Sequence, residues 1–347
     1  MMGGKPIRQN VIVIKLLVMT IVAYAVLGGI KVNVYADNRN NFSIQSLNRD
    51  GEVNQQGFYH LIGQPGEKQN IAIKVFNASE NEIRVKATVN PASTNNNGIP
   101  NYAGEEEYDS SLKYRMDELI SLENDEIKIP ASDSVIVKAT VSFPDEDWEG
   151  DVLGGIRITE EGEVKREQTV VHEVAYTVGV LLNQKESPLV ENNLQLHEVS
   201  TGQRNYRNHI EANLQNNAAT IIREMNIKAE VFEKENDMPI YTYDAYDLRM
   251  APNSNFDLGI PTGNQPIEAG DYLLKLVIKA DEKEYRLQKA FTISTTEARQ
   301  LNQSAVNLTK NTNTFIRYLI IVSLTLVVLV FYVWRSMYKR MNNTINK

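Results

Sequence analysis

Asn70-Ile71-Ala72-Ile73-Lys74-Val75-Phe76-Asn77 alternates apolar and polar residues, and Ile83-Arg84-Val85-Lys86-Ala87-Thr88-Val89 repeats the pattern six residues later. A period of two places alternate side chains on opposite faces, which suits a half-buried strand and not a helix. The same signature recurs at Val135–Val141, Val170–Leu182, His209–Leu214, Met225–Phe232, Tyr272–Lys279 and Tyr285–Ile293. Turn formers separate these runs: Gln64-Pro65-Gly66, Asn77-Ala78-Ser79, Ala251-Pro252-Asn253-Ser254 and Glu268-Ala269-Gly270-Asp271. Short alternating strands with such punctuation predict an all-β fold of two immunoglobulin-like β-sandwiches in tandem. One helical exception is expected within Ser110–Leu122.

The polar segment Asn183–Leu189, which contains Pro188, separates the two β-rich blocks. Domains are therefore expected at 37–183 and 189–293. A faint repeat links them. Each block has a strand ending in Asn, Val75-Phe76-Asn77 and Leu214-Gln215-Asn216, and a later Pro-led polar turn, at Pro130 and Pro252.

The ends read as addresses. Lys5 and Arg8 precede the apolar run Leu16–Ile30, and Val34-Tyr35-Ala36 offers a small residue before cleavage, so 1–36 is expected to be a signal peptide. Tyr318–Trp334 carries no charge and is followed by Arg335, Lys339 and Arg340. A single transmembrane helix at 315–334 with a cytoplasmic basic tail at 335–347 is expected. Ser294 and Glu297 form a capping-box pattern, and Ala298, Leu301, Ala305 and Leu308 follow at helical spacing, so 294–314 is expected to be a stalk.

Between the ends, residues 37–314 hold 27 basic against 44 acidic residues, a net of −17. Such a field repels nucleic acid and anionic head groups. The chain has no cysteine, which excludes thiolate metal sites and a cysteine nucleophile. None of the four histidines (His60, His172, His197, His209) has metal-ligand spacing, and no nucleophile elbow or Walker loop occurs. Asp145-Glu146-Asp147-Trp148-Glu149-Gly150-Asp151 imitates a calcium loop, but its twelfth position is Ile156 where a glutamate is needed, so a solvated loop is expected. No enzyme, metal or cofactor is expected, with a wall-glycan hydrolase as the distant alternative.

Two features read as binding elements. In Asn90–Tyr102 the side chains of Asn90, Thr94, Asn95 and Asn97 donate and accept, as sugar hydroxyls and peptide bonds require. Gly98 supplies a turn there, and Tyr102 a stacking face. The competing reading is a polar loop whose Asn and Gly only provide turn geometry. In the strand Leu153–Ile158, the pair Gly154-Gly155 permits a bulge or the close approach of another backbone, or marks a packing constraint alone.

With those residues in view, the chain resembles the WxL-interacting protein family of Gram-positive bacteria. The matching pattern is Gln64-Pro65-Gly66, Val75-Phe76-Asn77, Asn90-Pro91-Ala92-x-Thr94-Asn95-x-x-Gly98, Tyr102, Ile129-Pro130-Ala131, Phe143-Pro144, Trp148-x-Gly150 and Leu153-Gly154-Gly155-Ile156. A looser match follows at Leu214-Gln215-Asn216, Ala251-Pro252-Asn253 and Gly270-Asp271-Tyr272. The resemblance implies a peptidoglycan-binding first domain and a second domain that binds host extracellular-matrix or other surface proteins. It also implies a WxL-domain wall protein as partner, since this chain itself lacks a Trp-x-Leu motif. The rival implication is a scaffold that holds wall proteins near the membrane without recognising glycan.

Overall fold

The computed structural model describes residues 42–105, 107–161, 174–185, 190–306, 308–309 and 312–345. The expected signal peptide, His172 and most of the Asn183–Leu189 linker lie outside the described residues. The first sandwich is built from β1 (Phe42–Leu47), β2 (Tyr59–Ile62), β3 (Lys68–Asn77), β4 (Ile83–Pro91), the two-residue strands β5 (Ser93–Thr94) and β6 (Pro100–Asn101), the one-turn helix α1 (Met116–Leu119), β7 (Ile120–Leu122), β8 (Glu126–Ile129), β9 (Ser134–Ser142), β10 (Val152–Glu160) and β11 (Ala175–Asn183). One sheet has the order β1-β3-β9-β7 and the other β2-β11-β10-β4-β8. All pairings are antiparallel except β2 on β11.

The alternation at 70–89 is what the two sheets use. In β3, Ile71, Ile73 and Val75 are buried, while Lys68 and Asn70 are exposed. Their inward faces meet Val85, Ala87, Ile156, Ile158, Val178 and Val180 of the opposite sheet in one core. Each fully buried Val or Ile contributes about 1.5–3 kcal/mol, so this face fixes strand register more firmly than any single bond.

The second sandwich contains β12 (Leu194–Arg204), β13 (Arg207–Asn216), β14 (Ile222–Glu233), β15 (Tyr241–Met250), β16 (Ser254–Pro261), β17 (Gly270–Ala280) and β18 (Lys283–Ile293). Its sheets have the orders β12-β13-β16 and β15-β14-β17-β18, around a separate core. The faint repeat has a structural basis. Asn77 ends β3, is buried, and donates from Nδ2 to Asn81 O (2.7 Å) and Pro130 O (2.9 Å). Asn216 ends β13, is buried, and donates from Nδ2 to Thr220 O (2.8 Å) and Ala251 O (3.3 Å). In both sandwiches the strand-ending Asn clamps the residue four positions on and a distant turn beside a proline.

Two local expectations are corrected. The helix expected in Ser110–Leu122 is only α1, because Ile120–Leu122 instead pairs with β9. The stalk is not free at its start: α2 (Thr295–Ser304) has the capping box but docks on the second sandwich. Ala298 is buried in that core, Leu301 packs against it, and Asn302 exchanges two hydrogen bonds with the Ile267 backbone. The helical spacing is therefore a packing stripe.

A 34-residue helix, α3 (Thr312–Ile345), ends the described chain. Its apolar side chains from Tyr318 to Val333 are exposed. Among the described residues no helix is long and apolar enough to cross a membrane, the described apolar side chains ending one short of Trp334.

Candidate functional site

The residues expected to form one binding surface fall in three places. The first is a polar seam between the two sandwiches. Thr94 is buried there; its Oγ1 accepts the Ala251 N–H (3.0 Å) and lies 2.6 Å from Ser254 Oγ. The Gly98 carbonyl accepts the Arg249 N–H at 2.7 Å, and Asn96 Oδ1 accepts the Asp257 N–H at 3.1 Å. Asn95 Oδ1 accepts the N–H of Asn97 and of Ile99, which is turn geometry, and Asn97 stays exposed at the tip. Most of the loop thus joins the two sandwiches.

The seam continues through residues the sequence left unassigned. Asp109 accepts from Gln215 Nε2 (2.8 and 2.9 Å) and Asn255 Nδ2 (2.6 Å). Burial pushes its carboxyl upward, but bonds from Ser111, Asn255 and Gln215 outweigh this and hold it below the usual carboxylate range. Asp151, at the end of the acidic run, is no solvated residue. It is buried, accepts the Ile221 N–H at 3.0 Å across the seam, and accepts from Asn183 Nδ2 at 2.9 Å. Within the same run Glu146 pairs with Lys113 and Tyr114, and Glu149 with Lys185. Among the described residues no group of His, Asp or Glu is arranged to hold a metal.

The second place is the core. Gly154 and Gly155 do not lie at a sheet edge, since β10 runs between β11 and β4. A β-carbon on Gly154 would stand 2.5 Å from Met116 Cβ and 2.7 Å from Asn90 O. The glycine therefore admits α1, whose Met116 is fully buried above it. Gly154→Ala is expected to cost about 1–3 kcal/mol by overpacking, read as a lowered urea midpoint with unchanged slope. An unchanged midpoint would show that α1 shifts freely.

The third place is the outer face of the same sheet. Gly155 and Gly179 are cross-strand neighbours, and their lack of side chains leaves a recess over the strand backbone. Tyr102 lies along it. A β-carbon at Gly155 would be 3.2 Å from Tyr102 Cδ1, and one at Gly179 3.9 Å from its hydroxyl and 3.8 Å from Phe58 Cβ. Asn90 Nδ2 donates to Tyr102 O at 2.9 Å and so anchors the segment carrying the ring. Burial alone pushes the Tyr102 phenol above its ordinary range. Half-buried Tyr102 and exposed Phe58 both border this recess, offering aromatic surface of the kind a sugar face stacks on.

The second sandwich carries its own concavity, about 520 Å³, over the outer faces of β14, β17 and β18. Lys275 lies over Phe232 there at 4.3 Å, while Tyr272 and Phe291 stack at 5.5 Å on the core side of the sheet. Glu233, Glu235, Asp237 and Asp271 line the same hollow. Nearby Tyr241 is pushed up to about 12 by burial and by Tyr272, Glu268 and Glu233.

Comparison with known proteins follows this division. Residues 42–160 match the family model described as WxL Interacting Protein, peptidoglycan binding domain, and 165–303 match WxL Interacting Protein, host binding domain. The second match begins ahead of β11, which is hydrogen-bonded into the first sandwich. No match is found among the curated proteins. Similar solved structures include the class 5 fimbriae chaperone CfaA, at 14% identity and a TM-score of 0.30, over 72% of this chain and 98% of that chain. The CsuC–CsuE chaperone–tip adhesion subunit complex of Acinetobacter baumannii is similar at 12% identity and a TM-score of 0.33, over 63% of this chain and 90% of that chain. Likenesses so distant bear on neither partner nor mechanism. Two tandem family matches over two sandwiches, each with its own core, identify the chain as a member of the WxL-interacting protein family, with a peptidoglycan binding domain followed by a host binding domain.

Proposed function

We propose that the chain is a membrane-anchored cell-surface binding protein and not an enzyme. Its first sandwich binds peptidoglycan, or a WxL-domain wall protein seated on it, and its second binds a host or neighbouring surface protein. The observation that carries this reading is the tandem match of the two binding-domain models. The aromatic surface at Tyr102 supports glycan contact by the first sandwich. The acid-lined hollow at Glu233 and Asp271 supports a basic side chain of a protein partner on the second. Anchoring rests on the uncharged sequence Tyr318–Trp334 within α3 and the basic residues that follow it. With α2 docked, the tether is shorter than a 21-residue stalk, so both domains work close to the lipid.

The test is retention of the ectodomain, residues 42–306, on purified wall sacculi. Tyr102→Ala is expected to lower retention at least fivefold through loss of its aromatic contact surface, whereas Asn97→Ala leaves it unchanged. Equal retention of wild type and Tyr102→Ala removes the aromatic surface from the reading. No retention of wild type removes peptidoglycan. The seam favours one second reading, a rigid scaffold for wall proteins; it predicts co-purification of a Trp-x-Leu protein free of wall fragments.

A further inference from the structure

The opposite edge of the first sandwich carries a cavity that none of the sequence-derived residues lines. Two troughs of about 520 and 610 Å³ meet along Leu47, Asn48, Arg49, Asn70 and Ile71, beside the turn that leaves β1. The seam residues Thr94, Asn96, Gly98, Asp109 and Asp151 line neither trough, so the second sandwich leaves this face open.

The lining has a definite chemistry. Asn48, Gln55, Gln56 and Asn70 are exposed carboxamides along the walls. Each carboxamide offers a donor and an acceptor, the complement of a secondary amide. Leu47 and Ile71 form an apolar floor, with Phe58 and Ile136 exposed on the sides. Arg49 stands where the troughs join. Its Nη2 donates to Gln69 Oε1 at 2.5 Å, and Gln69 donates in turn to Glu67 Oε1 at 2.7 Å, which holds the guanidinium in place. The other cation of the lining, Lys138, lies 3.8 Å from the Glu123 carboxylate.

In an exported region of net charge −17, a free carboxylate is repelled except where a guanidinium is fixed to receive it. Amide-complementary walls, small apolar recesses and one positioned guanidinium describe a short peptide with a terminal carboxylate better than a bare glycan. Granting that the first sandwich binds peptidoglycan, we propose that this double trough is a subsite for the peptide stem of the wall polymer. Its secondary amides lie against the carboxamides, its alanyl methyls against Leu47 and Phe58, and its free carboxylate on Arg49.

The experiment uses the full chain in detergent and isothermal titration with three probes. These are an N-acetylated tripeptide ending in D-Ala-D-Ala, the same peptide as its C-terminal amide, and tetra-N-acetylchitotetraose. The free-acid peptide is expected to bind, and the amide at least tenfold more weakly. Arg49→Gln, at an exposed position, is expected to weaken the free acid at least tenfold and leave the amide unchanged. Combined Gln55→Ala and Gln56→Ala is expected to weaken both peptides alike. Sacculi retention of the same preparations separates the two levels of the claim: its loss in wild type defeats the peptidoglycan reading itself. Retention without peptide affinity, equal affinity of Arg49→Gln and wild type for the acid, or binding of the chitotetraose alone overturns the trough.

Discussion

Gly150→Ala is expected to make residues 42–306 unfold in two transitions where the native chain is expected to unfold in one. Gly150 has φ +100°, a conformation that a residue with a β-carbon adopts only under strain. More important is what the β-carbon would meet: the carbonyl oxygen of Ala219 at 2.1 Å and the Ala219 β-carbon at 2.8 Å, both on the second sandwich. Neither is the end of a flexible side chain, so the seam must open. The adjacent Asp151 N–H to Ala219 O bond, 2.7 Å in the native chain, would open with it. Backbone strain at roughly 1–3 kcal/mol and a forced overlap of similar size give a loss of about 3–5 kcal/mol. Each sandwich keeps its own core, so the loss falls on their coupling. Differential scanning calorimetry should show two transitions for Gly150→Ala, and solution scattering a larger radius of gyration. A single transition within 2 °C of wild type would mean that the sandwiches are not coupled through this contact.

How much of this was legible follows from which residues interact with near neighbours. The alternation of Asn70–Asn77 reports a face, and a face needs only a periodicity of two, so both sandwiches could be read from the sequence. The repeat at Asn77 and Asn216 was visible for the same reason: each asparagine clamps a residue four positions away. The seam was not legible, because Thr94 meets Ser254 and Asp109 meets Gln215 across more than a hundred residues. A carboxylate in an acidic run reads as solvated unless its distant donor is known, which is why Asp151 was hidden among Asp145–Asp151. The Trp148-x-Gly150-Asp151 spacing was the available signal, a strained glycine placed next to an acid. Asn95 and Gly98 were ambiguous for a physical reason too, since turn geometry and ligand binding call for the same residue types. The trough escaped notice because its carboxamides come from separate segments, Asn48–Gln56 and Asn70, and none forms a motif.

Asp151→Ala is expected to destabilise residues 42–306 by about 2 kcal/mol through a different route. The carboxylate is 2% exposed and divides its oxygens between the domains: Oδ1 accepts from Asn183 Nδ2 at 2.9 Å, and Oδ2 from the Ile221 N–H at 3.0 Å. Removing it leaves the part-buried Ile221 N–H without its acceptor, at about 1–3 kcal/mol, and takes from Asn183 Nδ2 one of two acceptors, Gly150 O at 2.8 Å remaining. For a chain of this size such a loss lowers the melting temperature by roughly 4–8 °C. Asp151→Asn keeps one acceptor but turns an NH2 toward one of the two donors, so it should fall between alanine and wild type. The order wild type, Asn, Ala separates lost hydrogen bonding from lost volume; a variant pair both within 1 °C of wild type would refute the seam role. Combining Asp151→Ala with Gly150→Ala then completes the argument. If both act by opening one interface, the double variant should lose far less than the sum of the two, because the Ile221 bond is already broken once Gly150 has pushed Ala219 away. Additive losses would instead place Asp151 within the first sandwich alone, with Asn183 as its functional partner.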